Sequence, residues 1–109
     1  MEVLVIHQAY EQEPRPVARV TIPLTIVEAA DHQIERALDF AYEKTQNTDG
    51  SWSMGIAPDG DPRVVRLAPL HRDSKGKFWG LRSTHIGDRM LIGDRVFQVA
   101  GIGFEEVAE

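Results

Sequence analysis

Apolar residues dominate the first ten positions. Val3 and Val5 fall on one face of an extended chain and Leu4 and Ile6 on the other, which predicts a strand inside a sheet, not at its edge. Residues 11–16 carry Pro14, Pro16 and three charges, and predict a turn. The β-branched run at 17–22 predicts the returning strand, paired antiparallel with the first. Pro23, with no N–H to donate, should end it. The period then changes. Ile34, Leu38, Ala41, Tyr42 and Thr45 recur at helical spacing behind Asp31, a suitable N-cap. Glu35, Asp39 and Glu43 fall on another face, which should be wet. Asn47 or Gly50, in the left-handed conformation, should close the helix.

Beyond the helix the pattern is broken until late in the chain. Trp52 stands between Ser51 and Ser53. Its ring either anchors the loop to the core with the indole N–H on a backbone carbonyl, or is displayed to a partner. Residues 57–62 predict a turn, with too few oxygen ligands for a calcium loop. Residues 63–67 predict a short strand, 71–77 a long mobile loop, and Phe78 to Arg82 another short strand. The clearest local signal is Met90-Leu-Ile92, Gly93-Asp94 and then residues 95–100. A two-residue turn between apolar runs predicts a hairpin pairing Ile92 with Arg95, Leu91 with Val96 and Met90 with Phe97. Met90, Ile92, Phe97 and Val99 then share one face. Gly101 to Phe104 bends the chain, and Phe104 and Val107 can close the core. The order β-β-α-β-β-β, with room for a sixth strand, predicts an α+β fold. One main helix packs on a small antiparallel sheet of five to six strands, open or barrel-like.

Composition narrows the class. The chain of 109 residues with 42% hydrophobic residues suits a single domain, 1–109. No apolar run is long enough to predict a membrane span. The first ten residues lack a basic segment and hold His7 and Gln8 inside their apolar run, which fits a strand better than a signal peptide. With no cysteine there are no disulfides, thiolate nucleophiles or cysteine zinc sites, and a cytoplasmic setting is the simplest expectation. The net charge of −5 conceals an asymmetry. Residues 1–62 hold four Lys/Arg against eleven Asp/Glu, whereas 63–95 hold eight against three. The overall sign argues against gripping duplex DNA by charge alone. A basic face within 63–95 would be compatible with it.

Candidate chemistry concentrates in Gly80-Leu-Arg-Ser-Thr-His-Ile-Gly-Asp88. Ser83, His85 and Asp88 supply the residue types of a hydrolytic triad, but no nucleophile elbow accompanies them. The simpler reading is a tight polar connection in which Ser83, Thr84 and Asp88 bond backbone. Asp39 with Glu43 is a solvated helix face before it is an acid/base couple. His71, Asp73 and His85 would make a metal site only if the 71–77 loop folded over the 80–88 segment, so no metal and no cofactor is expected. Arg72, Lys75 and Lys77 beside Phe78 and Trp79 combine cations with aromatic faces, the ingredients of a single-strand platform. The acidic residues Glu28, Asp31, Glu35, Asp39, Glu43 and Asp49 could mimic phosphates toward a basic protein groove.

The helix end Tyr42-Glu-Lys-Thr-Gln-Asn47, the Trp-Ser step, Arg82-Ser-Thr-His-Ile-Gly-Asp88, the hairpin and Val99-Ala-Gly-Ile-Gly-Phe104-Glu form a cadence. It resembles a group of small uncharacterised proteins of actinobacterial genomes, plasmids and phages. More distantly it is similar to the YodL-like domain of mobile-element polyvalent proteins. The resemblance covers residues 37–107. It implies a small protein of a phage or other mobile element, acting inside a bacterial cell. On that footing the expected function is a non-enzymatic protein-interaction role, such as inhibition of a host defence protein. Its expected contact residues are Trp52, Arg72, Lys75, Lys77, Trp79, Arg82, Ser83, Thr84 and His85. The alternatives are a nucleic-acid-binding accessory protein using 63–95 and a small hydrolase using Ser83, His85 and Asp88.

Overall fold

The computed structural model describes residues 1–22, 31–48, 51–54 and 63–107, with the side chain of Asp31 excepted. Pro23, the Asp31 cap, Gly50, the 57–62 turn and the acidic side chains of Glu28 and Asp49 lie outside the described residues. The elements are β1 (Glu2–His7), β2 (Arg15–Thr21), α1 (Asp31–Lys44), β3 (Val64–Arg66), β4 (His71–Arg72), β5 (Phe78–Trp79), β6 (Arg89–Ile92), β7 (Arg95–Val99) and β8 (Phe104–Val107). Six strands form one sheet in the order β3-β2-β1-β6-β7-β8, and β4 and β5 form a separate two-stranded sheet. The fold is α+β, and every described strand pairing is antiparallel. The barrel-like alternative is not realised. The large sheet is open, with β3 and β8 as its edges.

β1 is central, as its apolar residues on both faces predict. It pairs with β2 on one side and β6 on the other. Val3, Val5 and His7 are buried on the face toward the helix, while Leu4 and Ile6 are half-buried on the opposite face. The second strand begins earlier than its β-branched run implies, at Arg15. The pairing steps from Val5 opposite Ala18 to Ile6 opposite Pro16, so Val17 is an extra residue. Such a bulge bends the strand, turns consecutive Val17 and Ala18 inward, and gives Pro16 a position where its missing N–H is tolerated.

Ile34, Ala37, Leu38, Ala41 and Thr45 are the buried face of α1. They close the core with Val3, Val5, Val20, Met90, Phe97 and Val99. Glu35, Asp39 and Glu43 are exposed, as expected. The helix does not end through a left-handed Asn47, because among the described residues none other than glycine has positive φ. Its last turn tightens instead. Thr45 N donates to Tyr42 O at 3.2 Å, Gln46 N to Glu43 O at 3.3 Å, and the Thr45 hydroxyl to Ala41 O at 2.8 Å.

The β6–β7 hairpin has the register that the Gly-Asp turn predicts, with Met90 opposite Phe97, Leu91 opposite Val96 and Ile92 opposite Arg95. Gly93 has φ +60° and Asp94 does not, which is the type II′ arrangement that matches strand twist. Met90, Phe97 and Val99 are buried and Ile92 is half-buried. Residues 71–77 are not an irregular loop. They hold β4 and the turn of a short hairpin with β5.

Candidate functional site

The 80–88 segment straps the C-terminal end of α1 to the end of β1. Thr84 N donates to Thr45 O at 3.0 Å, and Gln46 Nε2 to Thr84 O at 2.8 Å. Asn47 donates from its backbone to Ser83 Oγ and from its side chain to Leu81 O. On the sheet side, Gly87 N donates to Val99 O and Val99 N to Asp88 O. Gly87 has φ +95°, so the turn needs glycine there.

Asp88 is the hub. It is fully buried and accepts five hydrogen bonds, from Gln8 N, Ala9 N, His85 N and both terminal nitrogens of Arg82, at 2.7–2.9 Å. Burial alone would raise its pKa. The Arg82 guanidinium and the three backbone N–H groups outweigh that and hold it at about 2. Arg82 also grips Glu11 with two nitrogens and donates to Ser83 O. All five of its N–H donors are therefore engaged, and the Tyr10 ring lies 5.0 Å from its guanidinium. Its pKa is raised, chiefly by its hydrogen bonds to Asp88. A guanidinium satisfied in this way has no donor left for a ligand.

His7 closes the network, and nothing in the motif pattern marked it. Nε2 lies 3.0 Å from the Thr84 hydroxyl oxygen, Thr84 donates to the Thr45 hydroxyl oxygen at 2.7 Å, and Thr45 donates to Ala41 O. Each threonine has one proton, already committed, so the proton on the first link belongs to His7 Nε2. Burial and the nearby Arg82 lower the His7 pKa, against Asp88 and Glu11. The neutral Nε2–H tautomer is the form that the chain of hydroxyls requires. One signal could have found His7: it continues the inward alternation of Val3 and Val5.

This geometry disperses the triad residues. Ser83 Oγ accepts from Asn47 N, the exposed His85 ring meets the Tyr10 hydroxyl at 3.1 Å, and Asp88 binds the His85 backbone N–H, not its ring. Thr84 is buried. Trp52 is half-buried against the core, and its indole donates to Arg82 O at 2.8 Å, the arrangement of a loop anchor. Among the described residues no three His, Asp or Glu side chains converge to hold a metal ion. None of the helices described is long and apolar enough to cross a membrane.

The remaining predicted contact residues gather elsewhere. β4 and β5 form an arm in which His71 pairs with Trp79 and Arg72 with Phe78. Two residues per strand are too few to hold a hairpin by ladder bonds. The turn supplies the order. Gly76, at φ +79°, donates to Asp73 O and Asp73 N donates to Lys77 O, a type I turn followed by a left-handed glycine. The Asp73 carboxylate accepts from Lys75 N and Lys77 N at 2.9 Å and from the Trp79 indole at 3.0 Å. Those bonds, the indole's first, lower its pKa.

Phe78 and Trp79 are 50% and 51% exposed, an unusual state for two adjacent aromatics. Arg72 lies over the Phe78 ring at 5.5 Å and Lys77 over the Trp79 ring at 4.6 Å. A cleft of about 470 Å³ opens beside them, with Met54 and Leu81 among its apolar walls and Lys77 and Asn47 among its polar groups. That volume lies within the range of ligand pockets. A second cleft, of about 280 Å³ between α1 and β7–β8, includes the paired charges Arg95 and Glu106 in its lining.

The basic residues of 63–95 do not share one face. Arg82 is inside the polar core, Arg95 pairs with Glu106, and Arg63 stacks on Phe40 of the helix at 4.9 Å. Arg72, Lys75 and Lys77 remain together on the arm. No family model matches the chain, and no curated protein or solved structure matches it significantly.

Proposed function

We propose that this chain is a non-enzymatic interaction protein that grips a partner protein with the β4–β5 arm and the cleft beside it. The 80–88 segment serves as the scaffold that sets the arm. The observation that carries this reading is the half-exposed pair Phe78 and Trp79 at the mouth of the cleft. Large rigid aromatics next to a concavity are the usual anchors of protein interfaces. The resemblance of residues 37–107 to phage and mobile-element proteins supplies the setting. The partner is a host or phage protein met inside a bacterial cell, and blocking a host defence protein is one use of such a grip.

The contact surface is correspondingly smaller than the residue types suggested. Arg72, Lys75, Lys77 and Trp79 belong to it. Trp52, Arg82 and Thr84 act behind it by holding the scaffold, and Ser83 and His85 border the strap. A nucleic-acid reading draws on the cations stacked over Phe78 and Trp79. Those cations sit over the ring faces on which bases would stack, and the formal charge of −5 opposes phosphate. Affinity capture from a bacterial lysate with wild type and a folded Trp79→Ala/Lys77→Glu variant tests the reading. Loss of a discrete partner in the variant is expected. Identical capture by both proteins would remove the arm from consideration.

A further inference from the structure

The arm carries information about the partner, on the premise that it is the contact surface. Arg72, Lys75 and Lys77 fall within six residues of the arm and are exposed, Arg72 over the Phe78 ring and Lys77 over the Trp79 ring. Among the described residues none of them pairs with a carboxylate. The neighbouring acid, Asp73, has both oxygens occupied by Lys75 N, Lys77 N and the Trp79 indole. Its lone pairs are spent on the turn while its negative charge remains, so residues 71–79 carry three cations against one carboxylate, a net charge of +2. The arm is thus a cationic segment on a chain whose net charge is −5, and it adjoins an apolar cleft with Met54, Leu81 and Trp79 among its lining residues.

We infer that the cleft receives one aromatic or long aliphatic side chain from a short acidic segment of the partner protein, whose flanking carboxylates meet Lys77, Lys75 and Arg72. Charge complementarity sets the sign, and the apolar walls set the inserted side chain. The rest of the chain sets the length. The net charge of the chain is −5, so an acidic partner is attracted only where the cations of the arm face it. Screening confines the attraction to about 10 Å at moderate salt. Gly80 fixes one wall of the cleft. A Cβ there would overlap Ser51 Oγ and lie 2.9 Å from Ser53 Oγ and 3.2 Å from Met54 Cγ, so the 51–54 loop and the arm are packed directly together.

Fluorescence anisotropy with the full chain tests this. The probe is a fluorescein-labelled peptide with a central Phe flanked by Asp. Its comparisons are the peptide with Lys for every Asp, the peptide with Ala for Phe, and labelled oligothymidylate. The acidic Phe peptide should bind most tightly, and both Lys77→Glu and Lys75→Glu should weaken it about tenfold at low salt. Trp79→Ala should weaken it by about thirtyfold. The lysine substitutions lie on an exposed turn, so they keep the inference testable if Trp79→Ala proves unfolded by circular dichroism. Equal or tighter binding of the basic peptide, or binding of oligothymidylate in preference to the acidic peptide, would overturn the inference. If no peptide binds while arm-dependent capture from lysate persists, this chemistry is wrong and the interaction reading stands. If capture is also independent of the arm, both fall.

Discussion

Replacing Asp88 by Asn isolates the charge at the centre of the polar core. The carboxylate is fully buried and accepts five hydrogen bonds, two of them from the Arg82 guanidinium that also holds Glu11. An amide can preserve the oxygen that faces Gln8 N, Ala9 N and one Arg82 nitrogen. Its NH₂ then points at His85 N–H and the other Arg82 nitrogen, so donors face donors. Removing one member of a buried ion pair costs about 3 kcal/mol, a large share of the stability of a typical domain. The lowered pKa points the same way. Holding the Asp88 carboxyl at about 2 instead of 3.8 corresponds to roughly 2 kcal/mol of preference for the ionised form. That stabilisation is present in full above pH 3.8 and is lost as the pH falls through about 2, because only the unfolded chain takes up the proton in between. Urea unfolding followed by circular dichroism at pH 7 should show Asp88→Asn with its midpoint about 2 M lower. Repeated at lower pH, the wild type should lose stability below pH 4 and the variant should lose less. A loss under about 1 kcal/mol at pH 7, or parallel acid limbs, would refute the reasoning.

Other perturbations separate the remaining parts of the account. His7 has a lowered pKa in the fold, so protonation favours the unfolded chain, and stability should fall as the pH drops below 6.5. His7→Gln should flatten that limb between pH 7 and 5, measured by thermal unfolding across pH. Thr84→Val leaves His7 Nε2–H and Thr45 without their shared partner and should cost about 1–3 kcal/mol by urea unfolding. In the wild type, ¹⁵N chemical shifts should identify the Nε2–H tautomer of His7. Gly80→Ala should destabilise by about 1–3 kcal/mol, because the 51–54 loop must move, and Ser51→Gly should restore part of the loss. Asp73→Ala should speed hydrogen exchange at Lys75 and Lys77 while leaving global unfolding nearly unchanged, since its bonds order only the arm.

What could be read from the residues was whatever depends on short-range pattern. The β6–β7 register follows from two apolar runs and a Gly-Asp turn, and the buried face of α1 from spacing alone. The strand start at Arg15 was hidden because Pro16 reads as a breaker, and only the bulge opposite Val5 makes room for it. The arm escaped for a different reason. Its order comes from one carboxylate capping turn N–H groups, a bond pattern with no hydrophobic period. The site was half legible. Lys77 and Arg72 stay outside, as exposed residue types should, and Trp79 does so against its type. Arg82 and Thr84 read as surface groups because their partners are remote: Glu11 lies 71 positions from Arg82, and Thr45 lies 39 from Thr84. Long-range pairing of polar groups leaves no local trace.

The most direct measurement is site-specific photo-crosslinking in cells. A photoreactive amino acid is placed either at the exposed position 74 in the turn of the arm or at position 85 on the strap. A discrete protein adduct is predicted from position 74 and none from 85. An adduct from position 85, with none from 74, would contradict the arm as the contact surface.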